Sequence, residues 1–126
     1  MPPRCYHVSI SSPAGFAVSF EAAAAALEAI DRMFFEPDGA FVWTGSAAGD
    51  VANGGDATAA AWQLDGALYD RGGRVEYVEV KGNAPVVALE ALWAALGWPA
   101  APLSFQLMRE GVVLDEPAFR AWLAGE

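Results

Sequence analysis

The sequence predicts an α+β domain. It has a mostly antiparallel or mixed sheet of about five strands, two main helices and a short C-terminal helix, in the order β-α-β-β-β-α-β-α. Three observations carry this. Apolar and polar residues alternate in several short segments, most clearly on either side of Asp70-Arg71-Gly72-Gly73. Two longer segments, starting near Phe20 and Pro85, repeat apolar residues at helical spacing. Turn residues separate these segments: Pro13 and Gly15, Pro37-Asp38-Gly39, Gly82-Asn83, then Gly97 and Pro99.

Residues 6–11 alternate and read as the first strand. Ser19 can cap a helix with Glu21 in its first turn, where a negative charge suits the helix dipole. Phe20, Leu27, Ile30 and Phe34 then recur at helical spacing, so the helix is expected to run on until Pro37. Residues 40–45 form a second strand. Residues 45–60 are Gly, Ala, Ser and Asp without a period and read as a flexible loop. Residues 62–69 and 74–81 form a hairpin.

Pro85 fits the first position of a helix whose apolar stripe is Val86, Leu89, Leu92, Trp93 and Leu96. Gly97 suits the position after that helix, and Pro99 blocks its continuation. Residues 103–108 form a further strand, and Asp115 can cap a last helix carrying Phe119, Trp122 and Leu123. Leu114 and Phe119 are spaced for a hydrophobic staple. A strand–helix–strand crossover is right-handed and allows two parallel contacts in the sheet. A ferredoxin-like arrangement is one candidate; helix, three strands, helix, strand is a second description of the middle of the chain.

The chain has 126 residues, which is the size of one domain, and 55% of them are hydrophobic, enough for a sizeable core. Seven Lys and Arg stand against 16 Asp and Glu, a formal net charge of -9, with no basic track. That balance argues against a nucleic-acid partner, which needs clustered cations. Cys5 is the single cysteine, so no disulfide closes within the chain, as expected in a reducing compartment. It reads as a small buried thiol beside a surface His7. No signal peptide or membrane span is visible, and the expected location is the cytoplasm. His7 is the single histidine, so a zinc site built from several His or Cys cannot form within one chain.

One constellation carries chemistry. On the hairpin, Leu64 and Gly66 alternate with Asp65, and Val78 and Val80 alternate with Glu79 and Lys81. Matching the apolar faces sets Leu64 opposite Val80, with Asp65 opposite Glu79 and Lys81 opposite Gln63; in-phase neighbouring registers stay open. Directly opposed carboxylates repel, and Lys81 or a divalent cation would offset this.

The segment W-Q-L-D-G-A-L-Y-D-R-G-G-R-V-E-Y-V-E-V-K-G resembles the metal-binding hairpin of the PD-(D/E)xK nucleases. Asp65 matches that pattern's first acid, and Glu79 and Lys81 match its second acid and its lysine. In place of the usual preceding Pro the chain has Gln63-Leu64. The resemblance implies a PD-(D/E)xK-like core, Mg²⁺ held by Asp65 and Glu79, and phosphodiester cleavage with Asp65, Glu79 and Lys81 as catalytic residues. It also leaves room for an extra acid on the first helix, Glu21 or Glu28.

The leading functional expectation is different. It is a non-enzymatic domain without a cofactor that works through contacts with another protein or with itself as a homodimer. The edge strands and the last helix, with Phe119 and Trp122, are the expected contact surfaces, and Trp98 is the expected half-exposed anchor.

Overall fold

In the computed structural model, residues 5–46 and 61–125 are described. The predicted loop at 45–60 lies outside them apart from Gly45 and Ser46, which end a strand. The elements are β1 (Tyr6–Ser11), α1 (Phe20–Glu28), β2 (Met33–Phe35), β3 (Ala40–Ser46), β4 (Ala61–Arg71), β5 (Arg74–Gly82), α2 (Val86–Ala95), β6 (Ser104–Leu107), β7 (Val112–Asp115) and α3 (Glu116–Leu123). The α+β class stands. The sheet has seven strands rather than about five, in the order β2-β3-β4-β5-β1-β6-β7.

Every pairing in that sheet is antiparallel, so the expected parallel contacts are absent among the described residues. The reason lies in where the chain goes after α1. It does not return directly to lie beside β1. It builds the meander β2-β3-β4-β5 and brings β5 back antiparallel against β1.

Of the two additional strands, β2 replaces a stretch expected to be helix and β7 fills a stretch given no element. Phe34 continues the helical spacing of Phe20, Leu27 and Ile30, yet α1 ends at Glu28 with Ala29 as its C-cap. The chain then reverses through Arg32, whose φ of 65° is left-handed and incompatible with a continuing helix. Met33 and Phe35 face Trp43 and Phe41 across β3, so their burial is won in the sheet and not on a helix. At the other edge, β7 pairs with β6 after a short turn that ends at Gly111.

Local signals are met at the helix starts. Ser19 Oγ accepts a hydrogen bond from the Ala22 N–H at 3.0 Å, and Asp115 Oδ1 accepts one from the Ala118 N–H at 2.9 Å. Pro85 lies one position earlier than expected, as the N-cap of α2 with extended backbone, and Leu96 closes that helix before Gly97 at φ 101°.

The helices bury one face of the sheet. Trp93 of α2 meets Phe105 of β6 edge-on at 5.2 Å between ring centroids, and Phe119 of α3 stacks on Phe105 at 4.3 Å and meets Tyr6 at 6.1 Å. The Tyr6 phenol donates to the Ala84 carbonyl at 2.8 Å, and burial holds its pKa above the ordinary tyrosine value. Arg120 spans the helix seam: it pairs with Glu90 at 2.8 Å and with Glu116, and lies over the rings of Trp93 and Trp98. Phe119 is therefore core and is withdrawn from the expected contact surface. Cys5 is exposed, not buried, because it precedes β1.

Gly66 is a packing requirement on this face. It sits opposite Phe41, and a Cβ there would lie 2.3 Å from the Phe41 ring. The absent side chain is what lets the ring cross the strand.

Candidate functional site

The second face of the sheet carries no helix among the described residues. Its surface is set by the strand parity that builds the core. On β1, Val8 and Ile10 are fully buried while His7, Ser9 and Ser11 point away from the helices. On β4 and β5 the same alternation turns Gln63, Asp65, Ala67 and Tyr69, then Tyr77, Glu79 and Lys81, to the open side.

The register differs from expectation by two residues. Leu64 pairs with Gly82, Asp65 with Lys81, and Ala67 with Glu79. The turn explains this. Gly72 and Gly73 both have positive φ, 62° and 86°, and form a two-residue connection that pairs Arg71 with Arg74. Continued regularly, that pairing would set Leu64 against Lys81 and put charge into the core. A bulge restores the phase: Asp70 pairs with Val75 and Tyr69 with Tyr77, which leaves Glu76 as the extra residue.

The expected opposition of Asp65 and Glu79 is thus corrected. Asp65 pairs with Lys81 in the register and accepts a hydrogen bond from Gln63 Nε2 at 2.9 Å. Glu79 lies diagonally away, opposite Ala67 on one side and Ser9 on the other, with Oε2 2.5 Å from His7 Nε2. Asp65, Glu79 and Lys81 do share one face, where with His7 they line a depression of about 290 Å³. Each carboxylate has a hydrogen-bond partner in the protein, Gln63 for Asp65 and His7 for Glu79. Among the described residues, no group of three or more His, Cys, Asp or Glu is placed to hold a metal ion. Glu21 and Glu28 lie on α1, which packs on the covered face, so neither joins the depression.

Next to this strip, Tyr69 and Tyr77 stack across the hairpin at 4.5 Å. The Tyr77 phenol is held above its ordinary pKa, first by loss of solvent and then by the nearby Tyr69, Glu79 and Glu76. A second depression of about 440 Å³ runs between Tyr77, Glu79 and Met108 over Ser9 and Gln106. Toward the sheet edges the face becomes apolar. Phe34 is 70% exposed and lies across from Val42, which is 39% exposed; Val113 is 64% exposed opposite Gln106.

No protein-family model matches this chain, and no curated protein or solved structure is significantly similar to it. Of the residues expected to matter, Trp98 is half-buried but turned inward, with Nε1 donating to Glu116 at 3.3 Å and its ring against Trp93. Two features of the face escaped the sequence reading: His7 as the partner of Glu79, and the exposed set of Phe34, Val42 and Val113. The signal for His7 was present in the alternation of β1, which assigns it to the wet face. Phe34 was hidden because its helical spacing to Ile30 concealed a strand. No helix among the described residues is long and apolar enough to cross a membrane.

Proposed function

We propose that this chain is a non-enzymatic protein-interaction module whose contact surface is the open face of the sheet. One observation carries the reading. Among the described residues, five of the seven large apolar side chains that stay exposed, Phe34, Val42, Tyr69, Met108 and Val113, belong to this face and not to the helices. Antiparallel sheets tolerate a wet face when it is polar, and apolar side chains gathered on one mark a contact site. The single cysteine and the absence of a disulfide suit a protein working in the reducing cytoplasm. We read β1, α1, β4, β5, α2 and β6, with the strands in the order β4-β5-β1-β6, as a ferredoxin-like core. The β2-β3 hairpin and the β7-α3 unit widen its sheet on either side.

The test is a photo-crosslinking amino acid placed at Val113 or at Val87 of the full chain in cells. Adducts with a protein at 113 and none at 87 are expected. Equal labelling at both positions, or none at 113, overturns the reading.

A second reading keeps one observation: Asp65, Glu79 and Lys81 line the same depression, as the nuclease resemblance asks. Under it Asp65 and Glu79 would hold Mg²⁺, which would polarise a phosphodiester. A Mg²⁺ titration followed by thermal melting decides. A rise in melting temperature that Asp65→Ala abolishes, together with nicking of DNA, favours this reading; an unchanged melt and intact DNA remove it.

A further inference from the structure

We propose that the partner is a second copy of this chain, packed open face to open face about a two-fold axis. The proposal rests on the reading of the open face as the contact surface and adds what covers it.

Charge is the first argument. On the open face of β4, β5, β1 and β6 the carboxylates of Asp65, Glu76 and Glu79 are matched in number by Arg71, Arg74 and Lys81. The acidic excess of the described residues lies elsewhere, as in Glu21 and Glu28 of α1, Glu90 of α2 and Asp31 and Asp38 in turns. Two copies, each carrying -9, repel when they approach by their helices. They repel least on the face whose four central strands carry as many cations as carboxylates, with Glu36 beside Ala40 and Asp115 opposite Ser104 adding acid only toward its edges. A strongly basic or acidic partner would find no matching field there.

The distribution of apolar side chains is the second argument. The middle strand of the sheet is β5, and the polar strip of Glu79 and Lys81 runs along it. Phe34 and Val42 lie toward one edge, and Met108 and Val113 toward the other. A two-fold axis in the plane between two such faces lays apolar flank on apolar flank, whether it runs along the strands or across them. The charged middles then meet as well, with Lys81 of each copy able to reach a carboxylate of the other.

Size agrees. Seven strands at about 4.8 Å spacing, roughly 20 Å long on average, present a face of roughly 600 Å² in projection. That is close to the about 800 Å² of accessible surface per partner in a standard interface. Face-to-face sheets about 10 Å apart are a familiar packing, and the alternating side chains here are of a size to interdigitate.

The experiment is sedimentation equilibrium of the purified full chain up to about 100 µM, above the micromolar end of the affinities that interfaces of this size reach. A reductant is present, because exposed Cys5 can bridge two copies. Twice the monomer mass is expected. Phe34→Asp and Val113→Asp, at two side chains that are mostly in water and so dispensable for folding, should each weaken association at least tenfold, and together give a monomer. Val87→Asp, 71% exposed on α2, should leave the dimer unchanged.

A wild-type monomer at the highest concentration overturns the proposal, as does a dimer indifferent to both open-face variants. Circular dichroism of each variant separates lost association from lost folding. If the wild type is monomeric while the crosslinker at Val113 still captures a different protein, self-association fails and the interaction module survives. If neither is seen, both fall.

Discussion

On β4, Leu64 and Leu68 are buried beneath the helices, while Asp65 and Tyr69, one residue further on, lie in water. On β5, Val78 and Val80 are fully buried and Tyr77, Glu79 and Lys81 are not. The two faces of the sheet thus have the same strands and the same backbone hydrogen bonds but opposite chemistry. The covered face is made of rings and branched chains locked against α1, α2 and α3, and stability resides there. The open face has a polar strip and apolar flanks, and no helix among the described residues packs on it. Changes on one face should therefore be read in stability, and changes on the other in association.

The sharpest way to break this contrast is Trp93→Ala. The ring is fully buried against Phe105, Trp98 and Phe119, and its removal should cost about 3–5 kcal/mol in chemical denaturation. The counterpart on the open face, Phe34→Ser, should stay within about 0.5 kcal/mol for the monomer. A loss as large as that of Trp93→Ala would mean that Phe34 belongs to the core.

Gly66→Val tests the packing of the covered face away from Trp93. The new side chain would enter the space of the Phe41 ring, and a loss of about 1–3 kcal/mol is expected, with a disturbed near-ultraviolet circular dichroism signal. A smaller effect is expected of Asp115→Ala, which removes the cap of α3 and should cost about 1 kcal/mol, recovered in large part by Asp115→Ser. Smallest is the coupling of His7 and Glu79 in a double-mutant cycle. Both side chains are partly solvated, at 27% and 35% exposure, so about 0.2–1 kcal/mol is expected. A larger coupling would make this pair a structural tie and shift weight from the covered face to the open one.

Much of this arrangement was legible locally. Ser19 and Asp115 cap the helices that follow them, because a short polar side chain before an apolar period has one obvious use. Gly72-Gly73 turns the hairpin, because only such residues accept two positive φ values without strain. The α1 boundary was not legible, since Ile30 and Phe34 fit a helical period as well as they fit a turn and a strand. Strand β7 was missed because its four residues carry too little pattern to be told from a turn.

By itself the sequence determined the α+β class, the hairpin and the inward side of β4, β5 and β6, because these follow from periods of two and 3.6 that any short window displays. The tertiary structure alone decided three things: the register of β4 on β5, the insertion of β1 between β5 and β6, and the gathering of the described helices on one face. A shift of two residues leaves a period-two pattern unchanged, so alternation cannot distinguish Asp65 opposite Glu79 from Asp65 opposite Lys81. That choice was made by one extra residue, Glu76, in a bulge beside the turn, and with it Asp65 came to pair with Lys81 instead of a second acid.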